Sequence, residues 1–441
     1  MKTLAILKYE WIHFTRSTFK VIAVVLFLIA SIYGLHNASN LYNIQISEIE
    51  RIKAQSKESQ AEIIAFYDKN EKGPSERPWV NVNEPFWAIW YSNIYHFKTP
   101  SPLMVYGVGQ AEQYGYYKRL TIMSSPYDAD MVEEIANPER LQTGNLDFTF
   151  AIIYLLPLLL MICLYNIKGA EVDSGILPLI NVQAASIQSW LWNRIGFYFI
   201  LIIILLALLF VYGGFLTNIF DKDVNGFFVF LLWTIIYLLI WTAVFGVIIQ
   251  LGSTSISNTL KMVGAWLLFT FIIPGIVHQW ISTQYPANLM TDFIDAQRDE
   301  KNKLYALPDS VLQEKLNAKY PKILNSIVMN DSLKQNKARN ESAPALANEM
   351  TKNSLKPIEE SYYQKNNAIK GFNWINPVTL FQNKFNHLTK THFDDYQNYR
   401  DDIQLLVDLQ NETMVLDIWN DVQVDKKTYL GYLSTLNDVN K

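Results

Sequence analysis

The chain has 441 residues, of which 50% are hydrophobic and only 18% charged. Lys+Arg number 37 against Asp+Glu 41, a net charge of −4, so there is no basic surface for nucleic acid. The single cysteine, Cys163, lies in an apolar run and excludes an intrachain disulfide, so any exported part folds without covalent staples.

Long uncharged apolar runs alternate with stretches rich in Asn, Asp, Gln and Lys. A helix needs ~20 mostly apolar residues to cross ~30 Å of hydrocarbon at ~1.5 Å per residue. The leader, residues 1–20, carries Lys2, Lys8, Arg16 and Lys20, with Leu4, Leu7, Trp11 and Phe14 at helical spacing. Two readings stand: an amphipathic helix lying in the membrane interface, or an extension of the first span. That span covers residues 21–35, lengthened by Phe19 and by snorkelling of Lys20 and Arg16. No small-x-small cleavage site follows, so an uncleaved signal anchor is expected rather than a signal peptide.

Residues 36–147 form a first polar region. Ile44, Ile46, Ile49, Ile52, Ile63 and Ile64 make a helical stretch. Prolines from Pro78 to Pro102 argue against a long helix in the next segment. Its aromatics, Phe86, Trp87, Trp90, Tyr91 and Tyr95, are read as a small core.

Charge-free runs predict further spans at 148–167, 195–216, 227–251 and 262–281, the last interrupted by Pro274-Gly275 and carrying His278 near one end. A charge at the bilayer centre would cost ~2.5–3.5 kcal/mol. Positive-inside counting puts the leader, 168–194 and 252–261 in the cytoplasm, and 36–147, 217–226 and 282–441 outside. Trp190, Trp192, Trp280 and Tyr212 fall near the expected interfaces. The expected fold is mainly α: a polytopic membrane protein with about five transmembrane helices and two extracytoplasmic, largely helical regions. In the second region, Pro308-Asp309 opens a helix before Val311, Leu312 and Leu316, and Ile403, Leu406, Val407 and Gln410 form one face. Residues 329–355 have few large apolar side chains and are expected to be a mobile helical hairpin.

Chemistry is sparse. There is no Walker A pattern, no H-E-x-x-H and no G-x-S-x-G, so no catalytic set, cofactor site or ATPase is read in this chain. Gly107-Val108-Gly109 is read as a turn. His387, His392, Asp394 and Asp395 match no familiar metal-ligand spacing and are read as solvated surface, so no metal site is assigned. The spans contain almost no ionisable residues, which disfavours ion-coupled transport.

Several segments carry a resemblance. Asn137-Pro138-Glu139-Arg140-Leu141 leads into Gly144-Asn145-Leu146-Asp147-Phe148 and Tyr154-Leu155-Leu156-Pro157-Leu158. After that span come Glu171, Gly175-Ile176-Leu177-Pro178-Leu179, Val182, Ser186, Trp190 and Arg194. With Tyr285-Pro286 and Asn376-Pro377, this order resembles ABC-2-type transporter permeases with a large external insert after the first span.

The resemblance implies a permease subunit that couples ATP hydrolysis by a separate ABC ATP-binding subunit to export or to work on the envelope. It implies a second permease chain, identical or related, in a multi-pass assembly of the bacterial cytoplasmic (inner) membrane. The 168–194 connector would be the coupling element. Glu171 and Asp173 would pair with basic groups on the ATPase, and Gly175 would give a tight turn. Ile176, Leu177, Leu179 and Ile180 would supply an apolar knob, with Ser186 and Arg194 completing the motif and Glu10 and Trp11 contributing from the leader. Such permeases usually close with a sixth span, whereas Tyr429–Lys441 is polar, which implies a lost helix or a truncated sequence. The rival reading is a non-transporting membrane scaffold or sensor that binds an envelope protein through its external regions.

Overall fold

The computed structural model of the chain describes residues 3–127, 146–183, 186–252, 254–285 and 289–439. Among them, five helices are long and apolar enough to cross a membrane. These are α2 (Thr18–Lys69), α4 (Phe148–Asp173), α6 (Ile187–Leu216), α7 (Val224–Leu251) and α8 (Ser255–Gln284). The chain is a mainly α, multi-pass membrane protein. Capping residues start three of these spans beyond their apolar runs. Ser186 accepts from Ser189 N, Asp223 from Gly226 N and Thr254 from Ser257 N, satisfying first-turn donors that the apolar residues cannot.

The leader forms α1 (Thr3–Arg16), which ends before Ser17 and packs on α6. It is not a simple extension of the first span. Its buried face is Ile6, Glu10 and Phe14, while Tyr9, Trp11 and Ile12 stay exposed. The helix therefore has one face on the bundle and an apolar face pointing away, as an interfacial helix needs.

Because α2 runs unbroken for 52 residues, it reaches about 78 Å at ~1.5 Å per residue, far beyond a ~30 Å hydrocarbon layer. The first span and the isoleucine-rich stretch after it are one rod. Beyond the bundle this rod joins α3 (Pro85–Tyr91), the hairpin of β1 (Tyr95–Phe97) and β2 (Tyr117–Arg119), and the helices of the second polar region. Those are α9 (Leu289–Tyr305), α10 (Asp309–Lys319), α11 (Ser332–Gly371), α13 (Phe393–Trp419) and α14 (Lys426–Val439). Ile63, Val80, Ile89, Leu316, Leu346, Leu406 and Trp419 share one apolar core. The two polar regions, expected as separate domains, thus form a single body.

Residues 329–355 are not a mobile hairpin. They lie largely in the 40-residue α11, whose Ala338, Ala343, Ala345 and Ala347 are buried against neighbouring helices. Small side chains here permit close packing, which composition alone cannot distinguish from a lack of core.

Another departure concerns α12 (Pro377–Leu388), expected outside. Its Val378, Phe381 and Phe385 belong to the bundle core. Phe385 stacks on Phe230 of α7 at 4.7 Å between centroids, and Phe381 packs on Tyr237 at 5.0 Å. The chain enters the bundle before α12 and climbs out along it. Irregular backbone at such depth must be satisfied by protein. Asn376 meets that demand: its side chain donates to Phe269 O at 2.8 Å and accepts from Val378 N at 2.9 Å.

Prolines inside spans are handled in the same way. Pro157 has no N–H for the carbonyl of Ile153, and α4 widens into a π segment at Ala151–Leu155. The Tyr237 hydroxyl donates to that Ile153 carbonyl at 2.7 Å. A second π segment, Leu268–Ile272, precedes Pro274 in α8, and there Asn376 serves Phe269.

The leader, the 168–183 connector and the α7–α8 turn share one end of the bundle. The 217–226 turn shares the other end with the large polar body, where Lys222 Nζ donates to Tyr42 OH at 3.1 Å. Trp192, Trp280 and Tyr212 are exposed as interface residues should be, whereas Trp190 is buried.

The embedding of α12 predicts that Phe385→Ala costs about 3–5 kcal/mol, because a stacked ring is removed from a closed core. Trp374→Ala, at a side chain 80% exposed, should change stability by no more than about 0.5 kcal/mol. Thermal unfolding of the two variants in detergent checks the contrast.

Candidate functional site

The connector end of the bundle holds a cluster of charges against the spans. Arg194 sits in the second turn of α6 and is almost fully buried. Its Nε donates to Oε1 of Glu10 on α1, and its Nη1 donates to Oε1 of Glu171 at 2.5 Å. The guanidinium also lies 4.6 Å from the centroid of Trp190, which explains why that indole is buried. Glu10 is completely buried. A buried carboxylate without a cation would be very costly, so the planar fork of Arg194 is what lets Glu10 and Glu171 stay here.

A second cation lies deeper. Lys20, expected to snorkel toward the interface, is buried. Its Nζ donates to Cys163 O at 2.8 Å, Asn166 Oδ1 at 3.1 Å and Tyr198 OH at 3.0 Å. All three ammonium protons therefore have acceptors. On α1, burial first and the Lys20 charge second hold the His13 imidazole below its ordinary range. The expectation that the spans are almost free of ionisable groups holds for their middles and fails at this end.

The first part of the connector is fastened to three other spans. After Asn166 the helix bends at Lys168, whose φ is +64°, and Lys168 Nζ donates to Gln250 O at 2.6 Å at the end of α7. Gly169 lies so close to Ser255 that a Cβ would sit 2.6 Å from its backbone nitrogen. Asp173 Oδ2 accepts from Ser255 N at 3.2 Å. Gly175, at φ +70°, then turns the chain into α5 (Leu177–Gln183). Ser186 caps α6.

The structure redistributes the expected roles. Glu171 and Asp173 are not held out for a partner's basic groups: the first is engaged by Arg194 and the second by the α8 backbone. Of the expected knob, Ile176 and Leu179 are exposed, whereas Leu177 and Ile180 are half-buried, with Ile180 packed on the bundle core. Val182, 85% exposed, completes the outward apolar face. Trp11 is half-exposed and meets Phe197 edge-on at 6.4 Å. Sequence reasoning missed the Lys20 site because its acceptors lie 143 to 178 residues away. Asn137 to Leu141, Gly144, Asn145 and Pro286 lie outside the described residues. Asp147 accepts from Phe150 N at 2.7 Å and Val108 N at 2.8 Å, so the Gly107–Gly109 turn clasps the start of α4.

No family model, curated protein or solved structure matches this chain.

The charge arithmetic of the triad gives a stability test. Arg194→Met leaves the buried carboxylate of Glu10 and the half-buried one of Glu171 without their cation and should cost about 3–5 kcal/mol. Combining it with Glu10→Gln and Glu171→Gln should recover much of that loss, because the uncompensated charge goes as well. Denaturant titration in detergent, compared across the single and triple variants, measures both effects.

Proposed function

We propose that this chain is the membrane subunit of an ABC-2-type transporter, driven by an ATP-binding subunit supplied as a separate chain. The observation that carries the reading is the connector: a short helix whose Leu179 and Val182, with Ile176 just before it, expose an apolar face, preceded by Glu171 and Asp173, which are pinned to two different spans. A coupling element needs both properties. A loose apolar loop could bind a motor without moving the spans, and a buried one could not bind it.

The triad turns docking into motion. A push on α5 reaches α6 through Glu171 and Arg194, reaches α1 through Glu10, and reaches α8 through Asp173. Arg194 and Lys168 stand at this end, so the positive-inside rule assigns it to the cytoplasm, where ATP is. A second permease chain, identical or related, would complete the assembly in a bacterial cytoplasmic membrane. The large polar body then lies outside, rigidly connected through α2, and serves export or mechanical work on the envelope.

Leu179→Asp with Val182→Asp places two carboxylates on the outward face of α5 without touching the triad. Purified in mild detergent from its native host, the wild-type chain should bring an ABC ATPase with it. The double variant should lose at least nine-tenths of that ATPase while keeping the same thermal midpoint. A wild-type chain that carries no ATPase would sink the transporter reading and favour a scaffold or sensor.

A further inference from the structure

Where α12 leaves the bundle, three potential metal ligands converge although they are scattered on both sides of a turn. His387 lies in the last turn of α12, His392 is the N-cap of α13, and Asp394 is in the first turn of α13. The sequence places these side chains on a solvated surface, yet His392 is buried. Its imidazole stacks on that of His387, with centroids 3.7 Å apart and planes 21° apart. Asp394 Oδ2 is 3.7 Å from His387 Nε2 and 3.5 Å from His392 Nδ1. The three ligand atoms all lie within 4.8 Å of one another.

The two separations from Asp394 are close to what one ion demands, and the stacked imidazoles must tilt apart to aim both nitrogens at it. With metal–ligand bonds of about 2.0–2.1 Å, tetrahedral ligand atoms stand about 3.3–3.4 Å apart. Each pair with Asp394 is therefore a few tenths of an ångström from that edge. Two imidazoles and one carboxylate suit zinc or a similar late first-row ion and suit calcium or magnesium poorly, because those ions take mostly oxygen ligands. Three protein ligands also leave a fourth position for water.

The neighbours are arranged as an outer shell. Asn366 Nδ2 donates to Asp394 Oδ1 at 3.1 Å and so orients the carboxylate with its other oxygen toward the histidines. Lys370 Nζ donates to Oδ2 itself at 2.5 Å. That ammonium occupies the oxygen a metal would use and acts as a competing cation. His392 Nδ1 accepts from Asp394 N at 3.1 Å, a contact a metal would replace. The reciprocal half of the cap, His392 N donating to Asp395 Oδ2 at 3.2 Å, would remain.

We propose that His387, His392 and Asp394 form a binding site for a divalent late first-row transition metal, with Lys370 holding the carboxylate when no metal is bound. The site stands at the joint between the membrane-embedded α12 and the external helices α11 and α13. Metal binding there would release Lys370 of α11 from the joint, leave Asn366 of α11 on the carboxylate, and lock α12 to α13.

The test uses the full chain in detergent, with any affinity tag removed and the protein stripped with chelator, titrated with Zn²⁺ by calorimetry. One equivalent should bind. His387→Ala removes the more exposed of the two rings and should weaken binding at least tenfold without changing the metal-free thermal midpoint. Lys370→Gln removes the competitor and should tighten binding several-fold. Co²⁺ substituted for Zn²⁺ should give visible bands of a four-coordinate centre, lost in His387→Ala. Failure of Zn²⁺ to bind stoichiometrically, unchanged affinity in His387→Ala, or no tightening in Lys370→Gln would each overturn the site.

Discussion

The architecture depends on one buried guanidinium. Arg194 joins three segments at one point: the leader through Glu10, the connector through Glu171, and α6 on which it stands. Desolvating three charges is expensive, and an apolar cluster of the same volume would often be at least as stable. What the charges add is geometry. A planar fork with a carboxylate on each side fixes the relative orientation of α1, α4 and α6, whereas apolar side chains would let these elements slide. The Trp190 ring against the guanidinium seals the cluster from solvent. Lys20, bound by α4 and α6 one layer deeper, repeats the device with hydrogen bonds to neutral acceptors.

The other end of the bundle is held by a neutral plug. Tyr106 comes from the polar body and is fully buried between spans. Its hydroxyl donates to Phe210 O at 2.6 Å, and its ring lies 4.7 Å from Phe210 and 5.3 Å from Phe230. Space for it is cut by glycine: a Cβ on Gly213 would fall 2.7 Å from the Tyr106 ring. Gly34 of α2 likewise meets the backbone of Asp147, where a Cβ would be 2.6 Å from a carbonyl carbon. These close approaches make spans and polar body continuous rather than hinged.

The sequence carried the membrane class, because charge-free runs of span length have a single physical meaning. It also carried the connector, whose glycine and alternation of charge with apolar residues mark a turn and a short amphipathic helix. It did not carry the unity of the two polar regions. That depends on α2 continuing without a break, and no breaker between Leu35 and Ile44 means only that a helix is permitted there. Nor did it carry α12. Its 12 residues amount to about 18 Å of helix, too short for any span criterion, and Phe381 and Phe385 read equally well as the face of a surface helix. The triad was half legible. Glu10, Glu171 and Arg194 each stood out, but Glu171 looked available to a partner because its own partner is 23 residues away across a turn. Periodicity reveals faces of one element and says nothing about which face of another element meets it.

The placement of the irregular segments tells where the bundle is able to change shape. Both π segments adjoin prolines, and each freed carbonyl is taken up by a side chain from a different element: Tyr237 of α7 for Ile153, and Asn376 ahead of α12 for Phe269. A carbonyl bonded within its own helix moves only with that helix. One bonded by a neighbour ties the local bend of α4 or α8 to the position of α7 or α12. Since α4 ends in the connector and α12 ends at the joint with the polar body, a change in bend at Pro157 or Pro274 has to be accommodated at both ends of the molecule. With ridges fixed by close glycine contacts, one end fixed by the Arg194 cluster and the other by Tyr106, these two π segments are the breaks in the regular helical ladder at which such a bend is accommodated.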